Sequence, residues 1–449
     1  MEGLFQISPV DGRYANKTKS LQPYFSEFGL IKYRIRVEIE YLIALSQVVP
    51  VLQPLNEHSA DKLRRLVDNF DQQDAIWIKD KERITNHDVK AVEYWVKEQM
   101  QSIGLGAYLE FVHFGLTSQD INNTAVPMLL RDGLQQVVLP KLSLLVNLLR
   151  ERALAMKDIP MLARTHGQPA SPTTMGKEWM VFVSRLQKVL DVLENQSYYG
   201  KFGGATGNFN AHFIAFPSID WFEFGHRFLQ QHLGLKRSVF TTQIDHYDDL
   251  AALFQNWIRL NTILVDFCRD IWTYISMEYF KQKAVKDEVG SSAMPHKVNP
   301  IDFENAEGNL GIANALLAFL AEKLPISRLQ RDLTDSTVLR NAGVPFAHML
   351  IALQSLEKGL SKLQLNQRAL TDDLDRNWAV LAEAIQTILR REGVDQPYEQ
   401  LKALTRGQDQ ITKDVLHQFI DSLDIDEQVK TEMRQLTPST YIGGWDHGG

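Results

Sequence analysis

Residues 290–300 read GSSAMPHKVNP, which places two hydroxyls, an imidazole and an ammonium within one short stretch. Groups of these types can take up protons, give them back and neutralise anions. A glycine, two serines, two prolines and an asparagine do not lie inside a helix, so the stretch is predicted as a loop feeding a helix near Ile301. Loops are routinely polar, and a surface connection is its bland reading. Two further stretches carry chemical side chains. FVHFGLTSQDINN (111–123) contains His113 and the pair Thr117 and Ser118, and RTHGQP (164–169) is centred on His166. A lone histidine is more often structural than catalytic, so His166 alone would decide nothing. His87 and His113 are isolated, and no HExxH or Cys/His cluster is present, so no metal site is expected. The glycine-rich GKFGGATGN (200–208) lacks the GxGxxG spacing of a dinucleotide fold.

These side chains must be held by helices. Leu250, Leu253, Phe254, Trp257, Leu260, Leu264, Phe267, Ile271, Tyr274 and Ile275 keep i, i+3, i+4, i+7 spacing for about seven turns. Such length suggests a bundle of long helices. Residues 139–154 and 310–324 follow the same pattern. Strand signals are scarce, and Ser238–Gln243 (SVFTTQ) is the best of them. Glycine and proline cluster at 168–176, 199–210 and 290–300. We divide the chain into an N-terminal helical domain (1–112), a central long-helix domain with the loop (113–364) and a C-terminal helical domain (365–449).

Composition narrows the function. The 449 residues, 44% hydrophobic and 23% charged, are those of a globular protein of two or three domains. A net charge of −7 argues against a nucleic-acid binder, while leaving room for a locally cationic pocket. The single cysteine, Cys268, excludes an intrachain disulfide framework. With no signal-like or membrane-length apolar run, the protein is expected in the cytoplasm and off the membrane.

Gly290, Ser291, Met294, Pro295, Lys297 and Asn299 match, in register, the signature Gly-Ser-x-x-Met-Pro-x-Lys-x-Asn of the fumarase/aspartase superfamily, which the chain therefore resembles. The stretches around Thr117 and His166 match it too. Within the superfamily the chain is similar to the adenylosuccinate lyase family. His296 follows Pro295, and SPVDGRY (8–14), TNHDVK (85–90) and SRLQRDLTDSTVLR (327–340) resemble that family's nucleotide-binding segments. There are departures. Ala293 stands where relatives often have Thr, and after Gln243 the family's Glu-Pro-His-Asp gives way to Asp245, His246, Tyr247 and Asp248.

The resemblance implies an all-α, fumarase/aspartase-like fold of three helical domains, whose central long helices form a tetrameric core. It implies β-elimination of fumarate from adenylosuccinate and from the succinylated imidazole carboxamide ribotide, without cofactor or metal. Breaking the C–N bond needs a base for a weakly acidic C–H proton, an acid for the departing nitrogen, and fixed donors for the carboxylate that gathers charge. In the family's terms Ser291 is the base, its alkoxide stabilised by Lys297, loop amides and the next helix N-terminus. His166 is the acid and Glu304 its partner, unless Glu304 is simply a solvated helix residue. Substrate carboxylates and phosphate would be held by Arg13, Tyr14, Asn86, His87, Asp88, Thr117, Ser118, Gln243, Lys297, Asn299, Arg331, Ser336, Thr337 and Arg340. His87 has a second reading, as a neighbour of a helix N-cap. The segments around Thr117, His166 and Ser291 are expected to converge from three subunits of a homotetramer. Two alternatives remain: a lyase for another fumarate adduct such as argininosuccinate, and a catalytically silent helical scaffold.

Overall fold

The computed structural model describes residues 2–283, 294, 298–405 and 411–445. Helices carry the architecture. Among the described residues strands are two or three residues long, paired in four two-stranded sheets. The three expected long helices are present as Leu139–Ala155, Asp248–Ser276 and Ile301–Lys323. None of the described helices is long and apolar enough to cross a membrane.

The strand expected at Ser238–Gln243 does not form. Lys236–Arg237 pairs in parallel with Tyr199–Gly200, and the ladder ends when Ser238 N donates to Gly200 O at 3.0 Å. Beyond it the chain bends, and Ser238 Oγ donates to Asp245 Oδ1 at 2.7 Å. Alternating residues form a strand only where a neighbouring backbone offers a ladder.

Contacts divide the chain into two compact units, 1–143 with 189–265 and 306–354, and 144–188 with 266–305 and 355–449. In the first, the helix Glu27–Ser46 is capped by Ser26, whose side chain accepts from Gly29 N. Its Ile31, Ile35, Ile39 and Leu42 pack against Leu63, Val67, Ile78, Val92, Trp95 and Val96 from three neighbouring helices. Each fully buried aliphatic side chain contributes roughly 1.5–3 kcal/mol. The same helix also buries three charged residues, Arg34, Glu38 and Glu40. Charges are not left in a core without partners.

The helix Ser118–Gly133 begins over the glycine-rich segment and continues through Pro127 into a π-helical turn at Leu134–Val138. Asp120, in its first turn, is wholly buried. Its Oδ1 accepts from Lys201 Nζ at 2.7 Å, Gly203 N at 2.9 Å and Gly204 N at 3.1 Å, and its Oδ2 from Thr117 N at 2.8 Å. Gly204 takes φ 78° and Gly207 φ 84°, conformations that favour glycine, and a Cβ on Gly207 would lie 2.5 Å from Thr241 O.

In the second unit the helices Ala382–Arg391, Pro397–Thr405, Lys413–Ser422 and Glu427–Gln435 enclose a core of Leu381, Ile385, Leu389, Leu401, Leu416, Ile420 and Met433. Trp179 packs edge-on against Phe267, with ring centroids 5.4 Å apart.

Removing one member of a buried ion pair leaves its partner an uncompensated charge. Lys201→Met should therefore destabilise the protein by about 3–5 kcal/mol, seen as a lower unfolding midpoint. An unchanged midpoint would contradict the role given to this pair.

Candidate active site

Five polar side chains at the start of the Ser118–Gly133 helix each reach a different part of the first unit. Ser118 Oγ lies 3.4 Å from His87 Nε2. Gln119 Nε2 donates to Ser336 Oγ at 3.4 Å. Asp120 holds the glycine-rich segment as described. Asn122 Oδ1 accepts from Arg34 Nε at 2.8 Å. Asn123 Nδ2 donates to the Tyr247 hydroxyl at 2.7 Å. A helical period of 3.6 residues spreads consecutive side chains around the axis, so a run of polar residues can address several elements at once.

His87 is itself the helix cap that its second reading placed beside it. Asn86, at φ 50°, ends the helix Gln72–Thr85 in the left-handed conformation, and His87 is the N-cap of Asp88–Ser102. His87 Nδ1 accepts from Lys90 N at 3.0 Å. The proton of the neutral ring therefore sits on Nε2, the nitrogen that faces Ser118. Asp88 Oδ2 lies between two guanidiniums, Arg34 NH2 at 2.7 Å and Arg340 NH2 at 3.0 Å. Burial raises the Asp88 carboxyl, but Arg34 and Arg340 outweigh it and hold the group below its ordinary range. Arg340 also pairs with Glu27 at 2.7 Å.

A second cluster gathers Gln243, Arg331 and Ser336. Arg331 NH1 donates to Gln243 Oε1 at 3.3 Å, and its NH2 donates to Ser336 Oγ at 3.1 Å. Thr337 is exposed on the same short helix, Thr334–Leu339. Arg13 is exposed at the end of a turn closed by Gly12 N donating to Ser8 O, with its guanidinium 5.8 Å from the Tyr14 ring. Of the expected binding residues, His87, Asp88, Thr117, Ser118, Gln243, Arg331, Ser336 and Arg340 are thus tied into this helix-centred network, while Asn86 adjoins it as the cap before His87.

His113 has a defined partner. It adopts φ 60°, and its Nδ1 is 2.6 Å from Glu38 Oε1. Burial lowers the imidazole pKa, but the charge and hydrogen bond of Glu38 overcome this, with Glu93 and Asp120 adding to them, so the pKa is raised.

In the second unit His166 occupies the tip of a two-residue hairpin in which Thr165 pairs with Gln168 and Arg164 with Pro169. His166 (φ 52°) and Gly167 (φ 76°) both take the left-handed conformation that such a turn demands. The imidazole is exposed. Arg164 anchors the hairpin by an ion pair to Asp373 at 2.7 Å, and Asp373 also accepts from the Tyr279 hydroxyl. Glu304 is exposed at the start of Ile301–Lys323 and accepts from Trp272 Nε1 at 3.0 Å. Among the described residues no ion pair joins it to His166. Asn299 lies just before that helix, whereas Ser291, His296 and Lys297 are outside the described residues.

The family described as Lyase matches residues 12–313, and the family described as Adenylosuccinate lyase C-terminal matches residues 327–442. The chain is 56% identical to the adenylosuccinate lyase of Dictyostelium discoideum, over 99% of this chain and 97% of that protein. It is 48% identical to that of Escherichia coli (strain K12), with the same coverage of each. The chain belongs to the adenylosuccinate lyase family. Its backbone also resembles the crystal structure of fumarate lyase from Mesorhizobium sp. BNC1, with TM-score 0.75 and 19% identity over 95% of each chain, a likeness of fold. The all-α, fumarase/aspartase-like architecture is thereby shown.

For a member of the adenylosuccinate lyase family, sequence reasoning passed over several residues of this network: Glu27, Arg34, Asn122, Asn123, Lys201, Tyr247 and Asp335. One signal was available. Arg34, Glu38 and Glu40 lie among the apolar residues of the Glu27–Ser46 helix, and each finds its partner across the network or beside it.

The raised His113 pKa has a definite sign. The charged His113–Glu38 pair contributes fully below the unfolded value of about 6.5, and the contribution is lost as pH rises through the folded value. An NMR titration should place His113 above the ordinary value, and Glu38→Gln should lower it. A titration that does not move in Glu38→Gln would remove this account.

Proposed function

We propose that this chain is a cytoplasmic, homotetrameric enzyme that eliminates fumarate from adenylosuccinate, giving AMP, and from the succinylated imidazole carboxamide ribotide. One observation carries the reading: a chain of the adenylosuccinate lyase family keeps the family's nucleotide-type segments, and side chains from two of them, 85–90 and 327–340, meet the start of one helix. In this reading Ser291 takes the C–H proton beside a substrate carboxylate. A C=C bond forms as the C–N bond breaks, and His166 gives a proton to the departing nitrogen. Lys297 and the amides before Ile301 would face the carboxylate on which charge gathers. Arg331, Arg340 and Ser336 suit the phosphate.

The proposed assembly rests on an uncovered face. Gly308, Gly311, Ile312, Ala315 and Phe319 form an exposed stripe along Ile301–Lys323, and a Cβ placed on either glycine would meet nothing within 4 Å. Small and apolar residues at helical spacing suit close approach of another helix, and D₂ symmetry would repeat the contact. The three-domain division (1–112, 113–364, 365–449), with the central domain supplying the tetramer core, belongs to this proposal. So does the sharing of each site between subunits, with Thr117, His166 and Ser291 drawn from different chains.

Purified protein should release fumarate from both substrates and keep doing so after treatment with a chelator. Absence of fumarate from either compound would refute the reading. Ser291→Ala and His166→Ala should each be nearly inactive alone. Unfolded together and refolded, they should recover about a quarter of wild-type activity, the share of sites that random mixing in a closed assembly leaves intact. Mixed tetramers without activity would put both residues on one chain.

A further inference from the structure

The segment after Gln243 departs from the family's Glu-Pro-His-Asp, and the departure places a tyrosine at the centre of the network. Tyr247 is 2% exposed and adopts φ 62°. Asp245 holds it there. Asp245 N donates to Asn123 Oδ1 at 2.8 Å, and Asp245 Oδ2 accepts from Tyr247 N at 3.0 Å. The left-handed backbone costs energy for a bulky residue, and these bonds offset it.

The Tyr247 hydroxyl uses both of its hydrogen-bonding roles. It accepts from Asn123 Nδ2 at 2.7 Å and donates to Asp335 Oδ2 at 2.8 Å. Asp335 is 5% exposed and belongs to the helix Thr334–Leu339 that carries Ser336 and Thr337. Its other oxygen faces Arg331 Nε at 3.8 Å and accepts from Ser336 Oγ at 3.5 Å. Among the described residues, the tyrosine hydroxyl is therefore the close donor to this buried carboxylate. One oxygen atom links the Ser118–Gly133 helix to the carboxylate that faces Arg331. It joins residues 124 and 88 positions away in sequence.

We propose that Tyr247 is a positioning residue for the nucleotide end of the active site. It sets Asp335, and through it Arg331 and Ser336, against the helix that carries Ser118 and Gln119. The assignment rests on the function proposed above. Arg331 and Ser336 are the groups suited to the phosphate, so loss of the hydroxyl should be felt where the nucleotide binds and not where the C–N bond breaks.

The test is Tyr247→Phe in the full-length protein, with AMP as the nucleotide probe and fumarate as the dicarboxylate probe. The AMP dissociation constant and the substrate KM should both rise about tenfold, in line with losing a buried hydrogen bond to a charged acceptor. The inhibition constant of fumarate should stay put, and kcat should change by less than about twofold. A purely structural role would lower the melting temperature while leaving the AMP affinity of the folded protein intact, and that result overturns the proposal. Equal falls in kcat and kcat/KM with unchanged AMP affinity overturn it as well. Should Tyr247→Phe fail to fold, Asp335→Asn tests the same link with the side-chain volume kept, and AMP affinity near wild type would then overturn it. In the double variant the loss of AMP affinity should not exceed the larger single loss, since both changes cut one connection. Multiplying losses would mean that the two residues act separately. If wild-type protein does not bind AMP, the functional reading falls and this assignment with it. If wild type binds and Tyr247→Phe binds as tightly, this assignment alone falls.

Discussion

The first unit is organised around a carboxylate that water does not reach. Asp120 is buried completely, as is Lys201, which pairs with it. Ionised groups are costly in a core unless hydrogen bonds take up their lone pairs. Here the backbone amides of Thr117, Gly203 and Gly204 do so alongside the ammonium. The constraint acts in two directions. It fixes where the Ser118–Gly133 helix begins, and it draws the glycine-rich segment against that beginning. Lys201 also donates to Gly204 O at 2.5 Å. Burial pulls the lysine's pKa down even though Asp120 works against this.

From that fixed start the rest of the network follows by helical geometry. Ser118, Gln119, Asn122 and Asn123 face four different neighbours because successive residues rotate around the axis. Each neighbour belongs to a stretch far away in sequence: His87, Ser336, Arg34 and Tyr247. Buried charged side chains of the Glu27–Ser46 helix, a liability without partners, find them in this setting. Arg34 and Arg340 share the carboxylate of Asp88, and Glu38 supports His113. Arg340 reaches the network already paired with Glu27 and Asp88, so the phosphate proposed for it would compete with two carboxylates.

The second unit presents its chemistry differently. His166 stands on a tight hairpin whose base is tied down by Arg164 and Asp373, while the ring is left exposed. A rigid mount with a free imidazole suits a group meant to meet something other than its own chain's core. The exposed stripe on Ile301–Lys323 makes a similar point. Small and apolar residues exposed along one face of a helix suit the close approach of another helix.

The amino-acid sequence by itself determined the helices and the identity of most groups that could do chemistry. Helical periodicity is a local property, and it located Leu139–Ala155 and Asp248–Ser276 to within a few residues; for Ile301–Lys323 it marked 310–324, and the end of the glycine- and proline-rich loop marked the start. The signature loop and the nucleotide-type segments are likewise contiguous stretches, readable one at a time. Tertiary structure decided what those segments do together. SVFTTQ alternates like a strand, yet its ladder ends at Ser238, where the N–H bonds Gly200 O and the chain then bends. GKFGGATGN looked unassigned because its role depends on Asp120, 81 residues before Lys201. Tyr247 read as a departure from a pattern, and only the approach of Asn123 and Asp335 shows what its hydroxyl holds. Hydrogen bonds and ion pairs require atoms within about 3–4 Å, whatever their separation along the chain, and that proximity is fixed by folding.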